Sequence, residues 1–585
     1  MIDSEAWGSE LASWDALTFL LVAFGVVVVL LLVFGRGSAL ERVPDALERL
    51  TGLPGWAVAT FGTAAFGLLV AGEGFYSDVW WHIALGRDKA LMTAPHTSIV
   101  VGLGLIFLSS AVGIVAATAT GVDTPLRWRA LRVPWSTLPL AVLGASALGG
   151  FPLDELWHQQ YGIDVTMWSP THMLMILGAT FTPLAAWLVL AEAGVSPRGS
   201  IPARLAHLVA AGLTILGLSA PQGEFEFGVP QFQQMFLPLL VTIVAGFTFV
   251  VVRLACGPGR ALALGVVMAA ARMGILGDRG EAVDTRAGGV YIVSALVVEV
   301  VALALGTGRR LRFAVASGVG VGTLGLAGEW WWNQGAHQPW TTNLLPDAVI
   351  LSAAVGVGVA LVGAAFAGVL AGEPPQAGRR LPTTAVALGG AAVLVALALP
   401  MPRPVGEVVA DLTVEPSGDT GDIEWAQLRV RLDPDDAAAD ARWFQAMSWQ
   451  GGGMVIAAME RVGPGEFATE RAVPVNGRWK TVLRLHRGGE MMAVPVYLPA
   501  DPEIGEPEVP AEDRQVTFGP EQDFLLRETT DGDAWFAWVV HALLAGVAAA
   551  WVAVFVRASS RIRARGADVP RVAALGTLRR DGGAA

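Results

Sequence analysis

Ser77–His96 reads SDVWWHIALGRDKALMTAPH, and Leu153–His172 reads LDELWHQQYGIDVTMWSPTH. Superposed, Asp78 falls on Asp154, Trp81 on Trp157, His82 on His158, Gly86 on Gly162, Asp88 on Asp164 and His96 on His172. The shared frame is D-x-x-W-H-x-x-x-G-x-D-x(7)-H, repeated 76 residues further on, and it holds four of the chain's eight histidines. Each copy begins at the end of one apolar run and finishes at the start of the next. The repeat is therefore a helical hairpin with a polar loop.

The rest of the chain extends that reading. Of 585 residues, 54% are apolar and only 15% charged, against roughly a quarter charged in a soluble protein. Runs of about 20 apolar residues recur, each long enough to span a bilayer as a helix. The expected fold is an all-α polytopic membrane protein of repeated hairpins, with 13 spans at about 16–35, 56–73, 97–118, 133–150, 173–192, 205–220, 236–255, 261–277, 288–306, 311–328, 347–371, 382–400 and 534–556. The span at 261–277 is short and contains Arg272. The single cysteine, Cys256, excludes an intrachain disulfide and a Cys-based metal site. The first 15 residues carry Asp3, Glu5, Glu10 and Asp15, unlike the basic start of a cleaved signal.

Arginines set an orientation. They follow spans 1, 3, 5, 9, 11 and 13, whereas loops 151–170, 221–235 and 329–346 contain no Lys or Arg. The positive-inside rule then places residues 1–15 and both frames outside and the basic tail 557–585 in the cytoplasm of a bacterial-type plasma membrane. Between the bundle (16–400) and the last span (534–556) lies a polar segment, 401–533, with 12 basic and 25 acidic residues. Its acidity argues against a nucleic-acid partner. Runs such as AQLRVRL and GRWKTVLRL alternate apolar and polar residues, so the segment is expected to be an exported β-sandwich.

The frames carry the chemistry. Asp78 and His82 share one helix face, as do Asp154 and His158. His96 follows Pro95, and His172 follows Pro170 and Thr171, a signature of a first helical turn. Each place thus gathers two imidazoles and one carboxylate, a three-ligand set suited to non-haem iron, zinc or copper. Asp88 and Asp164 are expected to orient the rings or to ligate directly. A lone Asp-x-x-x-His at a membrane interface is ordinarily a structural pair. Here two copies keep the full set in register while a third, EWWWNQGAHQPWTTNLLPD, has Glu329, Trp332, Asn333 and Asp347 in the corresponding places. A fourth, GEFEFGVPQFQQ, keeps only acid and aromatics. Ligands kept together or lost together suggest use. Trp80, Trp330 and Trp331 read as interfacial anchors, His207 and His541 as structural, and the Gly/Ala runs as close helix packing.

The paired motifs, D-x-x-W-H followed by P-H or P-x-H at the next helix start, resemble the C subunit of the copper membrane monooxygenases, the particulate methane and ammonia enzymes, over about residues 56–195. The resemblance implies one copper site from Asp78, His82 and His96 and another from Asp154, His158 and His172, although one family station carries Asn where Asp154 stands. It also implies other membrane subunits, and it covers only a quarter of the chain. The exported segment, with WQGGGM and GRWKTVLRLHRGGEMMAVPVYLPAD, more weakly resembles Ig-like domains of copper-uptake and oxidase-assembly membrane proteins. Met447, Met454, Met459, His486, Met491 and Met492 would then hold Cu(I) transiently, against the plainer reading of methionine as core filler. Two functions follow: a copper-dependent monooxygenase acting on a small apolar substrate, or a copper-handling protein for uptake, delivery or sensing, with a copper chaperone as partner.

Overall fold

The computed structural model describes residues 14–34, 42–86, 92–162, 167–228, 235–276, 283–373, 405–502, 504–525 and 527–568. The expected span at 382–400 lies outside these residues, as do Asp88 and Asp164.

The chain opens with α1 (Trp14–Phe34) and the short amphipathic α2 (Arg42–Thr51). The first hairpin is α3 (Gly55–Ala84) and α4 (Ala94–Ala119), and the second is α5 (Thr137–Tyr161) with α6 (Pro170–Thr180) and α7 (Thr182–Glu192). A small ribbon, β1 (Leu126–Trp128) and β2 (Leu131–Val133), joins the two hairpins. Next come α8 (Ile201–Ser219), α9 (Gly223–Glu226), α10 (Phe236–Ala255), α11 (Arg260–Leu276) and α12 (Ile292–Leu305). A third hairpin pairs α13 (Arg310–Gly320) and α14 (Leu326–Asn333), which are joined through a π turn, with α15 (Leu345–Leu370). Among the described residues, nine helices are long and apolar enough to cross a membrane, fitting a multi-pass membrane protein. The expected count of 13 is not reproduced. Helix α12, with 14 residues, is shorter than a full crossing, and α11, with 17, is not among the nine.

Glycines set how closely these helices approach. A Cβ on Gly102 of α4 would lie 2.3 Å from the Ala71 nitrogen of α3, so the two backbones touch there. The two Gly/Ala runs at 318–328 and 353–363 pack on each other: a Cβ on Gly318 would lie 2.5 Å from Gly356 O, and one on Gly322 would lie 2.3 Å from Ser352 O. Small residues at crossings let dispersion and backbone contacts hold a bundle that lipid cannot squeeze together.

The described part of the polar segment is mostly β, but it is not two separate sheets. Strands β3 (Val409–Thr420), β4 (Ile423–Asp433), β5 (Ala441–Trp449), β6 (Met454–Gly463), β7 (Glu466–Thr469), β8 (Val473–Pro474), β9 (Lys480–Arg487), β10 (Glu490–Tyr497), β11 (Arg514–Thr517) and β12 (Gly519–Pro520) form one antiparallel path, β11-β3-β4-β7-β6-β5-β9-β10-β12, with β8 on β4. Strand β6 is the corner. Residues 454–458 pair with β5, and residues 459–463 pair with β7. The sheet folds on itself, barrel-like, around Leu412, Leu428, Phe444, Phe467, Leu485 and Val494. A short helix, α16 (Glu521–Leu525), precedes α17 (Ala534–Asp568). The latter has 35 residues and continues beyond the expected end at 556.

Candidate metal centres

Both frames fold alike. In the first, the helix does not stop where the apolar run stops. Helix α3 continues for about three more turns, and that added length carries Asp78 and His82. Thr93 caps α4, its Oγ1 accepting from His96 N at 3.4 Å, with Pro95 inside the first turn. In the second, α5 carries Asp154 and His158, and Ser169 caps α6 by accepting from His172 N at 3.3 Å. Each final histidine is thus the third helical residue, and its own amide is the one the cap holds. The glycine of each frame ends its helix with positive φ, +95° at Gly86 and +73° at Gly162, a helix C-terminal role that glycine fills without strain.

The side chains converge. Asp78 Oδ1 lies 3.1 Å from His96 Nε2 and 3.8 Å from His82 Nε2. Asp154 Oδ2 lies 3.2 Å from both His158 Nε2 and His172 Nε2. In each group all three ligand atoms lie within 4.8 Å of one another, a separation from which they could hold a metal ion. The second group is more fully oriented. Thr171 Oγ1 donates to Asp154 Oδ1 at 2.5 Å, which leaves Oδ2 to the imidazoles. His158 Nδ1 faces Gly162 O at 3.1 Å, an acceptor that favours the proton on Nδ1 and would leave Nε2 as the nitrogen available to a metal. The donor set fits a borderline divalent metal or copper: two nitrogen ligands, one anionic oxygen, and a side open to a cavity.

That cavity is common to both groups. It measures about 720 Å³, and all six candidate ligands line it. Phe151 also lines it, its ring 5.4 Å from the His96 ring and edge-on to it. The β domain supplies the roof, with Trp449, Gln450 and Lys480 lining the cavity beside Glu528. Lys480 Nζ and Glu528 Oε1 are 2.6 Å apart, and both side chains are 9% exposed.

The same domain closes the helix ends beneath the centres. A helix leaves its last carbonyls without partners. Here His82 O accepts from Gln450 Nε2 (3.3 Å), Ile83 O from Gln450 N (2.8 Å), Ala84 O from Gly452 N (2.8 Å) and Leu85 O from Arg478 Nη2 (2.5 Å). The cap is the turn between β5 and β6, in which Gln450 adopts φ +66°, a left-handed conformation held by these bonds. The second centre is closed by the segment after α16. Thr530 N donates to Tyr161 O at 2.7 Å, Gly162 bridges Thr529, and Tyr161 Oη donates to Asp533 O at 2.5 Å. A Cβ on Gly162 would lie 2.1 Å from Glu528 O, so the frame's glycine also admits this strand.

The degenerate copies serve structure. Glu329 accepts from Val290 N at 2.8 Å and Tyr291 N at 2.6 Å, while Asn333 donates to Arg286 O and accepts from Trp340 N. Asp347 and His337 are exposed. In the fourth loop, Glu226 pairs with Arg272 at 2.6 Å and accepts from Tyr76 Oη at 3.0 Å. The arginine inside a short apolar helix was the sequence signal for that buried pair.

His207 accepts from Trp187 Nε1 at 2.7 Å and donates to Val195 O, and His541 Nδ1 bonds the Ala537 carbonyl within its helix, so both are structural. Trp80 and Trp331 are exposed, as anchors would be, but Trp330 packs partly into the core. The β-domain methionines are buried in separate clusters, Met447 and Met454 in one and Met459 and Met492 in another. They fill cores and do not form a single soft site. Compared with known proteins, the chain matches no family model, no curated protein and no solved structure.

Proposed function

We propose that this chain is a copper-binding integral membrane protein, related in mechanism to the copper membrane monooxygenases, in which Asp78, His82 and His96 hold one copper ion and Asp154, His158 and His172 hold another. The observation that carries the reading is that two equivalent two-His, one-carboxylate sets open into one largely apolar chamber. Bound copper would supply the redox chemistry that oxygenation of an unactivated apolar molecule needs. The chain's own part is to orient and to exclude water. Thr171 and Gly162 O fix the second set, Phe151 packs edge-on against His96 of the first, and the β domain covers the polar end. The placement of the centres and β domain outside draws support from the arginines at the far end of the bundle. Arg127, Arg129 and Arg132 follow α4, and Arg565 reaches Asp123 there.

A second reading, copper uptake or delivery without oxygenase activity, is favoured by one observation: Met167, Met175 and Met268 line the same chamber, and thioethers are ligands for Cu(I). The chain would then hand its copper to other membrane subunits or to a chaperone.

The deciding experiment is metal content by mass spectrometry on the full chain, purified in detergent without added metal. Wild type is run beside His82→Ala/His96→Ala and His158→Ala/His172→Ala. Copper reduced by about one equivalent in each double variant, and resistant to a mild chelator, supports the oxygenase reading. Copper that exchanges freely supports handling. Zinc or iron in the same places rejects copper, and folded variants with the metal content of wild type reject both readings.

A further inference from the structure

The chamber is too long for a substrate of one or two carbons. Along α3 its wall runs from Leu68 to Ile83, which at the helical rise is about 22 Å. One leaflet of hydrocarbon is about 15 Å deep. Its volume, about 720 Å³, falls among sites that enclose molecules of many heavy atoms. Liquid water takes ~30 Å³ per molecule, so a gas-sized ligand would leave most of this space to solvent.

The walls are graded. At one end stand the six candidate ligands with Gln450 and the Lys480–Glu528 pair. At the other stand Leu68, Leu103, Ile176, Ile215 and Met268. The two cations that line the chamber are already matched, Lys480 by Glu528 and Arg272 by Glu226, so neither demands an anionic head group. The apolar end is open at the side. Leu69 of α3 and Leu216 of α8 line the cavity yet are 52% and 49% exposed. Leu69 lies nine residues before Asp78, about 14 Å along the helix, and both helices belong to membrane-length elements. An exposed apolar mouth at that depth faces hydrocarbon, not water.

We infer that the chamber takes a single-chain amphiphile with an uncharged head, of the class of long-chain alcohols. It enters sideways from the bilayer past Leu69 and Leu216 and lies with its head at the paired Asp/His/His groups and its chain along α3, α4 and α8. The role given to the head rests on the copper reading, whereas the chamber and its mouth do not.

The test is photolabelling of the full chain in lipid nanodiscs with dodecanol carrying an alkyl diazirine at the chain end, with labelled peptides mapped by mass spectrometry. The expected labels fall on α4, α6 and α8 near Leu103, Ile176 and Ile215, and unlabelled dodecanol competes them away. Gly72→Phe plugs the chamber, since a Cβ at Gly72 meets nothing within 4 Å and Gly72 lines the cavity. It should cut that labelling at least tenfold while metal content stays at the wild-type value. Should Gly72→Phe not fold, Leu216→Phe narrows the mouth from its exposed side and gives the same readout. Labels confined to lipid-facing surfaces, neither competed nor reduced by the plug, overturn the inference. Chamber labelling in a protein that retains no metal keeps the amphiphile and removes copper, whereas copper without chamber labelling does the reverse.

Discussion

Gly102→Ala is the smallest change that should reach the first centre without touching a ligand. The added methyl would lie 2.3 Å from Ala71 N, 2.6 Å from Ala71 Cα and 2.7 Å from Ala71 Cβ. Two of these three are backbone atoms, so no rotamer change relieves the clash. To reach the 3.4 Å at which ordinary contact begins, α3 and α4 must separate by about 1.1 Å at their crossing. His96 is six residues, about 9 Å, from that crossing, and Asp78 is seven residues from it. The two helices carry different ligands of one set, so parting them stretches the set directly, whereas metal–ligand distances tolerate only about 0.2 Å. Overpacking of this kind costs about 1–3 kcal/mol, which, if it falls wholly on the metal-bound state, weakens the first centre roughly 5- to 150-fold. The second set lies on α5 and α6 and should keep its metal. The assay is a chelator competition on Gly102→Ala, on wild type and on each histidine double variant, with thermal unfolding measured in parallel. Wild-type affinity at both centres together with an unchanged unfolding midpoint would mean that the α3–α4 contact is not the constraint described here.

Gly452→Ala forces a side chain into φ +107° in the turn that caps α3, at a cost of about 1–3 kcal/mol. It should lower metal affinity at the first centre, and stability loss with that affinity intact would separate the cap from the centre. Glu329→Gln replaces a carboxylate that accepts from two backbone amides. It should cost about 1–3 kcal/mol in thermal stability and leave metal content unchanged; loss of metal would make the third copy more than a clamp. Arg484 and Glu521, both 0% exposed and 2.9 Å apart, join the β domain to the bundle through Arg484 Nη1 and Gly228 O at 2.7 Å. Arg484→Met should cost about 3–5 kcal/mol by stranding Glu521, and Arg484→Met/Glu521→Leu should recover much of it. Equal unfolding midpoints for the single and double variants would refute that account.

The ligand sets were legible because they follow local rules. An i, i+4 pair shares a helix face, and a capped, proline-bearing start fixes the third residue of the next helix, so Asp78, His82 and His96 are brought together by chain geometry within 19 residues. The helix ends were misjudged because hydropathy stops at the first carboxylate, whereas a helix does not. Helix α3 runs to Ala84, eleven residues past the apolar stretch expected to end at 73. The span count is not confirmed at 261–277, where the helix has 17 residues and Arg272 pairs with Glu226. The single folded-over sheet was hidden because β6 pairs on both sides with strands whose alternation looks the same. The roof was invisible for a different reason: Gln450 and His82 are 368 residues apart, and no local pattern encodes such a contact.

The cap on α3 also dictates an order of assembly. All six candidate ligands lie within the first 172 residues of the chain, but the groups that satisfy the carbonyls behind them come from 450–478 and 529–533. During synthesis the ligand helices are therefore in place while their ends are still bare, and the last third of the chain must be made and folded before either pocket is sealed. Until then the chamber stands open at its polar end. A metal held by the Asp/His/His groups would have its widest approach from water in that interval, so a finished molecule stripped of such a metal is expected to refill more slowly than a nascent one fills.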